Sequence, residues 1–333
     1  MNMKEWKENV IASQKKKALP VLSFPCVQLM GITVKQLISD SALQAEGMKV
    51  ISERTDSLAS VSMMDLSVEA ESFGSEIHKA DDEVPTVKGR ILETEEDADK
   101  LIVPNVSAGR TGFYIKAIEK AVTEIKDRPV LAGVIGPFSL AGRLMDMSEI
   151  MVNCYAEPDM VKKTMEKTSE FVTNYILEFK KAGAAGVVMA EPATGLLSPA
   201  LAEEFSSCYV KRIANRVKDD SFLFVYHNCG PNTPLMLKSL SEIGADAYHF
   251  GDAVKMLQVL EGMPSNVLVL GNVSPAAQFR AGTPESIYCI TTELLKECSK
   301  HSNFVISSGC DIPPLSPWEN IDSFFKAVSD FYK

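Results

Sequence analysis

Residues 222–230 read FLFVYHNCG, an apolar run that ends abruptly in polar and metal-binding side chains. The first five residues are aromatic, aliphatic or β-branched, which is typical of a strand buried on both faces of a parallel sheet. The run is short and ends in His227, Asn228, Cys229 and Gly230, as a buried strand does where it reaches a loop. This stretch therefore predicts a core strand with chemical groups at its carboxyl end.

Runs of the same kind recur along the chain, with room for a helix between them. The predicted strands are Pro20–Phe24, Ser60–Met64, Val130–Ile135, Gly186–Ala190, Leu223–His227, Ala247–Phe250, Val267–Gly271 and Phe304–Ser307. The clearest helical stretch is Pro158–Ala182, which has an apolar stripe and a basic last turn before a glycine. Strands that alternate with helices predict a parallel sheet, and eight strands are the number that closes a (β/α)8 TIM barrel.

Two parts of the chain fall outside this alternation. Residues 1–17 predict an N-terminal helical extension. Residues 65–128, between strands two and three, are too long for a simple crossover and predict a long insertion over one end of the barrel. An open doubly wound sheet is the alternative, but no glycine-rich phosphate loop follows the first strand. No linker or repeat divides the chain, so we expect residues 1–333 to form a single α/β barrel domain.

Charge and composition argue against several classes of function. The 333 residues carry a formal net charge of −10, which disfavours a nucleic-acid-binding surface. No stretch approaches the roughly 20 apolar residues that span a membrane, and the charged N-terminus does not resemble a signal peptide. The seven cysteines are odd in number and widely scattered. This pattern favours a cytoplasmic location, where thiols are free, catalytic or metal-bound.

Polar side chains collect at the carboxyl ends of the predicted strands, where barrels of this kind hold their active sites. His227 and Cys229 are spaced i, i+2, so on an extended backbone both side chains point to the same side. Cys310 joins them because the loops after strands five and eight face one barrel mouth. A close pair plus one distant ligand, with a fourth position open, is typical of a catalytic zinc. Spacing alone leaves open a buried cysteine beside a hydrogen-bonded histidine.

Several segments, spread in order over about residues 60–321, carry a resemblance to a known family. They are VEAESFG (68–74), GPFSLAG (136–142), HNCG (227–230), LGNVSP (270–275) and SSGCDIPPLSPWENI (307–321). The chain resembles the uroporphyrinogen decarboxylase superfamily and, within it, is most similar to the zinc-dependent methylcobamide:coenzyme M methyltransferases. The His-x-Cys…Cys set is the specific part of the resemblance, and the other segments indicate the superfamily.

The resemblance implies a TIM barrel in which His227, Cys229 and Cys310 hold Zn²⁺. It also implies transfer of a methyl group from a methylated cobamide to a small thiol such as coenzyme M. A free thiol is mostly protonated at neutral pH, and coordination to zinc deprotonates it. The stretch DAYHFG (246–251) lacks the spacing of a corrinoid-binding signature. The corrinoid is therefore expected to arrive on a separate corrinoid protein or free in solution.

Other strand-end residues are candidates for catalysis and binding. Asp252 is the first candidate for a fourth metal ligand and Glu191 the second, with a solvated or hydrogen-bonded carboxylate as the alternative for both. His249 is expected to cross the barrel mouth and contact the corrinoid or substrate, or else to be a satisfied core histidine. The candidates for cofactor binding come from the segments that carry the resemblance: Gly136, Pro137, Asn272 and Ser274.

Alternative functions stay open at this point. The decarboxylase itself resembles an arginine-lined cleft, but SFPCVQLMG (23–31), after the first strand, contains no arginine. Homocysteine, tetrahydrofolate or a methylated small molecule could replace coenzyme M as the partner in methyl transfer. A non-enzymatic docking module would have a zinc site without an open position. An acceptor that bears a sulfonate needs an arginine nearby, and the candidates are Arg143, Arg110 and Arg280.

Overall fold

A computed structural model describes residues 1–333 and contains one curled sheet of seven parallel strands and a separate two-stranded hairpin. The strands are β1 (Ser60–Val61), β2 (Glu76–His78), β3 (Thr86–Lys88), β4 (Val130–Ile135), β5 (Gly186–Ala190), β6 (Leu223–Asn228), β7 (Ala247–Phe250), β8 (Leu268–Val273) and β9 (Phe304–Ser308). The parallel sheet has the order β1, β4, β5, β6, β7, β8, β9, and β2 pairs with β3 in the antiparallel hairpin. The predicted α/β barrel class is confirmed.

Helices surround this sheet and close one end of it. They are α1 (Met3–Ala12), α2 (Cys26–Met30), α3 (Val34–Leu37), α4 (Ser41–Arg54), α5 (Val68–Ser72), α6 (Glu95–Lys100), α7 (Thr111–Glu124), α8 (Pro137–Met145), α9 (Met147–Ala156), α10 (Pro158–Lys181), α11 (Pro199–Ala202), α12 (Cys208–Val217), α13 (Leu237–Ser241), α14 (Met256–Gly262), α15 (Pro284–Cys298) and α16 (Trp318–Phe331). Short 3₁₀ turns occupy Pro192–Leu196 and Thr233–Met236, and π turns occupy Glu203–Ser207 and Pro275–Arg280. None of the helices combines the length and the apolar character that a membrane crossing requires.

The sheet divides the core into an inner and an outer layer. Along β6, Phe224 and Tyr226 face the helices, whereas Val225 faces the barrel interior. Side chains alternate between the two faces of a strand, so His227 continues the inward row. The same alternation turns His249 of β7 inward. The strand register itself therefore delivers these polar side chains to the inside of the barrel mouth.

The first barrel position is not a regular strand, so the prediction of a strand over Pro20–Phe24 was wrong. The backbone of residues 18–21, here called the closing segment, fills the gap between β9 and β1. Leu19 N–H donates to the Ile306 carbonyl at 3.0 Å, and Leu58 N–H donates to the Ala18 carbonyl at 2.8 Å. Proline has no N–H to donate at position 20, and a side chain, the Ser308 hydroxyl, accepts from the Val21 N–H at 3.0 Å.

The other strand predictions need smaller corrections. Three predicted strands, Val130–Ile135, Gly186–Ala190 and Ala247–Phe250, have the predicted bounds. The second strand is only Ser60–Val61, whereas β6, β8 and β9 each extend beyond the predicted carboxyl end. Two of these strands, β6 and β9, end at polar residues that still pair with a neighbour, such as Asn228 with Phe250. Apolar runs thus locate the strands but underestimate how far pairing continues into polar sequence.

The two parts outside the alternation have their own structure. The N-terminal helix covers Met3–Ala12 rather than residues 1–17, so the lysines at 15–17 follow the helix instead of ending it. Met3 and Val10 of this helix pack against the inner core at the amino-terminal end of the strands. Residues 65–128 hold α5, the hairpin, α6 and α7, and α7 packs on α4 in the outer helical layer. The long insertion is therefore shorter than the predicted residues 65–128, because α7 belongs to the outer helical layer of the barrel.

Candidate metal centre

His227, Cys229 and Cys310 meet at the carboxyl end of the barrel, and we call them the His-Cys-Cys cluster. One nitrogen or sulfur atom from each residue lies within 4.8 Å of those of the other two. The Sγ of Cys310 is 3.5 Å from the Nε2 of His227. His227 is buried and both cysteines are half-buried, so the cluster borders the opening of the barrel.

The local backbone explains why these side chains converge. His227 belongs to β6 and Cys229 follows the last residue of that strand, so the i, i+2 spacing keeps both on the inward side. Cys310 comes two residues after β9. Gly251, at the end of β7, allows the chains to approach, because a Cβ there would lie 2.4 Å from the Cβ of Cys229. Any larger residue at that position would push Cys229 away from the cluster.

The donor set fits zinc. Zinc in a tetrahedral site binds imidazole nitrogen at about 2.0 Å and thiolate at about 2.3 Å, which separates such a pair of ligands by about 3.5 Å. The Cys310 Sγ and His227 Nε2 atoms have this separation. One histidine and two cysteines are also the ligand types of known catalytic zinc sites, in which a fourth position is left to water or substrate. These residues could therefore hold zinc and leave one position open.

The two thiols of the cluster influence each other's ionisation. The side-chain contact with Cys310 lowers the pKa of Cys229 below its ordinary value. The same contact, together with burial, raises the pKa of Cys310 to about 12. Cys229 is therefore the thiol that ionises first, and metal binding must displace the proton that remains on Cys310.

A chain of hydrogen bonds orients the imidazole of His227. The Nδ1 of His227 is 2.6 Å from the Nδ1 of His249, whose Nε2 is 2.7 Å from the Ser307 hydroxyl. That hydroxyl donates to the Leu19 carbonyl at 2.6 Å, so it accepts from His249. The proton on His227 Nδ1 then has two acceptors, the Nδ1 of His249 and, at 3.2 Å, the His249 carbonyl. The Nε2 of His227 is left unprotonated and faces Cys310, as a metal ligand requires.

His249 thus lies behind the cluster rather than across the open mouth. Burial and the neighbouring His227 lower the pKa of His249 well below its ordinary value, which keeps it neutral. It is almost fully buried, in line with the alternative of a satisfied core histidine. The structure does not bring it into contact with the space where a substrate would enter.

Comparison with known proteins identifies the family. A family model described as uroporphyrinogen decarboxylase (URO-D) matches residues 17–331. The chain belongs to the URO-D family. This match covers the closing segment, the whole barrel and the His-Cys-Cys cluster.

Relatives of this URO-D family member are named for two different activities. Over 272 residues the chain is 26% identical to the methylcobamide:CoM methyltransferase MtbA of Methanosarcina mazei, covering 80% of this chain and 78% of that protein. Over 269 residues it is 29% identical to a uroporphyrinogen decarboxylase of Neisseria meningitidis serogroup C, covering 77% and 74%. A solved methyltransferase structure from Methanosarcina mazei superposes with a TM-score of 0.87 at 21% identity and full coverage of both chains. Overall identity therefore does not choose between the two activities.

Asp252, the first candidate for a fourth ligand, lies at the rim of the site in this URO-D chain. It is exposed, and its carboxylate is outside the His-Cys-Cys cluster. A Cβ placed on Gly309 would lie 3.3 Å from its Oδ1, so the side chain packs beside the backbone that leads to Cys310. Its negative charge opposes ionisation of Cys229. Asp252 is thus near the cluster without joining it.

Glu191, the second candidate, points away from the cluster. Its carboxylate accepts the N–H groups of Phe138 at 2.7 Å and Ser139 at 2.8 Å, together with the Ser139 hydroxyl at 2.5 Å. These donors form the first turn of α8, where a negative charge is favoured by the helix dipole. Glu191 therefore anchors this helix, and the structure does not support its prediction as a metal ligand or catalytic group.

The predicted cofactor-binding residues also have structural partners. Gly136 precedes α8, and a Cβ there would lie 2.1 Å from the Glu191 side chain, so the glycine makes room for that carboxylate. Pro137 is the first residue of the helix. Asn272 donates to the carbonyls of Gly251 and Val254, each at 2.8 Å, and so holds the loop after β7. Ser274 caps the turn after β8 by accepting from the Ala277 N–H at 3.2 Å.

A second cluster follows β1 and was not predicted as a unit. Arg110 donates to Asp65 and to Glu71 at 2.5 Å each, and Tyr114 donates to Asp65 at 2.7 Å. All the charge of Arg110 is therefore matched within the protein. Asp65 stands between a strand end and a helix start in the sequence, which is the signal that could have marked it.

Ser307 was also missed as a functional residue. Its position in β9, three residues before Cys310 and on the inward face, places it under His249. Serine at an inward position at the end of a barrel strand is the signal that could have found it, because such a position is otherwise apolar.

Proposed function

We propose that this URO-D family member transfers a methyl group from a methylated corrinoid to a small thiol. The observation that carries the proposal is the His-Cys-Cys cluster, whose Cys310 Sγ and His227 Nε2 are separated by 3.5 Å. Histidine and thiolate ligands suit a thiophilic metal such as zinc, and the donor set leaves a position for a substrate sulfur. When bound there, zinc supplies Lewis acidity that lowers the pKa of a coordinated thiol.

The chain's own residues prepare the site for such a thiol. His249 and Ser307 keep His227 in the tautomer that presents Nε2 to the cluster. Two cysteinate ligands bring enough negative charge to offset a divalent cation, which leaves a substrate sulfur electron-rich and nucleophilic. The buried floor, formed by inward side chains such as Leu270 and Val305, excludes water on one side.

The proposed reaction balances as a transfer between sulfur and cobalt. A sulfur–carbon bond forms, the cobalt–carbon bond of the methylated corrinoid breaks, and its electron pair stays on cobalt. The proton of the thiol is released to solvent. The site's contribution is to position the sulfur and to favour its ionised form.

The names of relatives support one choice of methyl donor and acceptor. The name of the Methanosarcina mazei relative states a methylcobamide donor and a CoM acceptor. We infer a methylated cobamide, delivered on a corrinoid protein, as the donor and coenzyme M or a similar thiol as the acceptor. Homocysteine uses the same sulfur chemistry, whereas tetrahydrofolate does not need a thiophilic metal.

The site gives less support to the alternative function, uroporphyrinogen decarboxylase activity. A porphyrinogen with several carboxylates needs several arginines. Residues 23–31 contain none, and α2 within them lies at the barrel mouth, where Gln28 donates to the carbonyls of Pro314 and Ser316 at 2.8 Å. Arg110 is already paired with carboxylates of the protein, which leaves two arginines, Arg143 and Arg280, in the cavity at the barrel mouth.

Demethylation of methylcobalamin, followed by cobalt absorbance, tests the proposal. Purified protein with its zinc quantified is mixed with methylcobalamin and one of 2-mercaptoethanesulfonate, homocysteine or tetrahydrofolate. We expect turnover with thiols, and its loss in Cys229→Ala and Cys310→Ala. Cys289→Ala is the matched control, because this cysteine is exposed on α15 away from the barrel mouth. Absence of turnover with every acceptor, or full activity in both cluster variants, would overturn the proposal.

A further inference from the structure

A cavity of about 520 Å³ opens at the carboxyl end of the barrel. Its walls come from the ends of β1 and β9, from α8, from the turn after β8 and from the hairpin loop, through residues that include Met64, Arg143, Arg280, Asp311, Val84 and Leu315. Asp311, which lines the cavity, follows Cys310 directly in the sequence, so the cavity reaches the segment next to the His-Cys-Cys cluster. A cavity of this volume accommodates a small molecule that reaches the cluster from the mouth.

Arg143 and Arg280 enter this cavity from two different walls. Neither guanidinium has an ion pair or a hydrogen bond within the protein, in contrast to Arg110 and to Arg212, which pairs with Glu166 at 2.9 Å. Arg280 is exposed, whereas Arg143 is half-buried, and burial without an acidic partner lowers the pKa of Arg143 from the ordinary value. A half-buried guanidinium left without a partner is unfavourable in the free protein, which points to a ligand that supplies the missing acceptor.

The acidic groups of the cavity leave both guanidinium groups free. Asp82 and Glu83 lie on the exposed hairpin loop, where water screens them. Asp311 also lines the cavity and follows Cys310 in the sequence. No carboxylate oxygen of the three lies within 4.0 Å of a nitrogen of Arg143 or Arg280, the distance that defines an ion pair.

We propose that Arg143 and Arg280 bind an anionic group, a carboxylate or a sulfonate, at the end of the acceptor thiol remote from its sulfur. The inference rests on the proposed function, since it assigns the other end of the same substrate. The planar guanidinium forms paired, charge-assisted hydrogen bonds to an oxyanion. With the sulfur at the His-Cys-Cys cluster and the anion at the arginines, the acceptor is a short alkyl thiol with a negatively charged terminus.

A phosphate in the nucleotide part of a corrinoid is the other source of such an oxyanion. The volume of the cavity favours the small thiol, because a corrinoid macrocycle with its nucleotide is far larger than the ligands that pockets of this size enclose. The two sources predict different responses when either substrate loses its charge, and the experiment below uses this difference.

The test compares wild type with Arg143→Gln, Arg280→Gln and the control Arg212→Gln in the zinc-loaded protein. The acceptors are 2-mercaptoethanesulfonate, 3-mercaptopropionate, neutral 2-mercaptoethanol and cationic cysteamine. We expect the KM for the two anionic thiols to rise in each cavity variant on the order of ten- to a hundred-fold, with little change for the other two. The control variant should retain the wild-type preference for anionic thiols.

Three outcomes would overturn the inference. One is an equal change for anionic and neutral thiols in the cavity variants. Another is a wild-type enzyme that shows no preference among the four thiols. The third is an effect that disappears when methylcobinamide, which lacks the nucleotide phosphate, replaces methylcobalamin as the methyl donor. In all three cases methyl transfer to thiols continues, so the proposed function stands while the assignment of the arginines fails.

Calorimetric titration with 2-mercaptoethanesulfonate keeps the inference testable if no thiol is methylated. Binding to wild type that weakens at least ten-fold in Arg143→Gln, but not in Arg212→Gln, supports the anion subsite even when the proposed function is wrong. Binding that is the same in all variants, or no binding to wild type, overturns it.

Discussion

The two halves of the barrel mouth hold different kinds of polar groups. The ends of β6 and β9 carry a nitrogen and two sulfur atoms that point toward one another. The opposite half, after β1 and β5, carries the buried carboxylates of Asp65, Glu69 and Glu191. The carboxylates accept hydrogen bonds from an arginine or from backbone N–H groups. The comparison teaches that polarity at a strand end is not enough to assign chemistry, because a group already bonded within the protein is not free to bind a ligand.

Replacement of a thiol in the His-Cys-Cys cluster should have the largest effect. This effect should be on metal affinity and not on the stability of the fold. Cys229→Ser and Cys310→Ser each remove one soft ligand. We expect zinc affinity to drop by more than about a hundred-fold, which exceeds the loss expected when a residue that only hydrogen-bonds to a ligand is replaced. Chelator competition with elemental analysis measures it. Cys289→Ser is the control and should bind as wild type. Unchanged zinc affinity in both cluster variants would contradict the expectation that this half of the barrel mouth binds the metal.

Loss of a carboxylate in the opposite half should affect stability instead. Glu191→Ala leaves the N–H groups of Phe138 and Ser139 without their acceptor, and we expect a loss of about 3 kcal/mol in the free energy of unfolding. Urea unfolding measures the loss, and the exposed Glu293→Ala should stay within about 0.5 kcal/mol of wild type. If Glu191→Ala kept its stability and lost zinc instead, Glu191 would belong to the metal half.

The residues behind His227 should show an intermediate effect. His249→Gln and Ser307→Ala interrupt the hydrogen bonds that fix the tautomer of His227, so we expect zinc affinity to fall by about ten- to a hundred-fold. Tyr248→Phe is the matched control, because its side chain packs in the outer layer. The same competition assay applies. A change below about two-fold in both variants would mean that His227 is oriented by the strand alone.

The smallest effect concerns the pH dependence of stability. Burial raises the pKa of Glu69 to about 8, whereas an unfolded glutamate titrates near about 4.3. Between these values the folded state holds more protons, so this group's contribution to stability is complete at low pH and is lost as pH rises through 8. The expected slope is at most about 1.4 kcal/mol per pH unit.

Glu69→Gln should remove this slope, because the amide does not titrate. Urea unfolding of the wild type and the variant at several pH values between 5 and 8 measures the difference. Parallel pH profiles of the two proteins would contradict a raised pKa for Glu69.

The sequence alone predicts those features of the fold and of the candidate site that depend on the spacing of residues close together in the chain. The i, i+2 spacing of His227 and Cys229 and the convergence of strand ends in a barrel predict that these residues meet Cys310, and the structure brings them together. The direction of Glu191 depends on where α8 begins relative to β5, which no local pattern contains. For the same reason the sequence predicts an intact first strand, whereas Pro20 and the Ser308 hydroxyl replace regular pairing there.

The closing segment joins two properties that are usually measured separately. The Leu19 N–H donates to β9, while the Leu19 carbonyl accepts the last hydrogen bond of the chain that begins at His227. The seam of the barrel and the orientation of the His227 imidazole are therefore thermodynamically linked. An ion that requires this orientation also protects the seam from opening, so amide hydrogen exchange at Leu19 reports on occupancy of a site at the other end of the hydrogen-bonded chain.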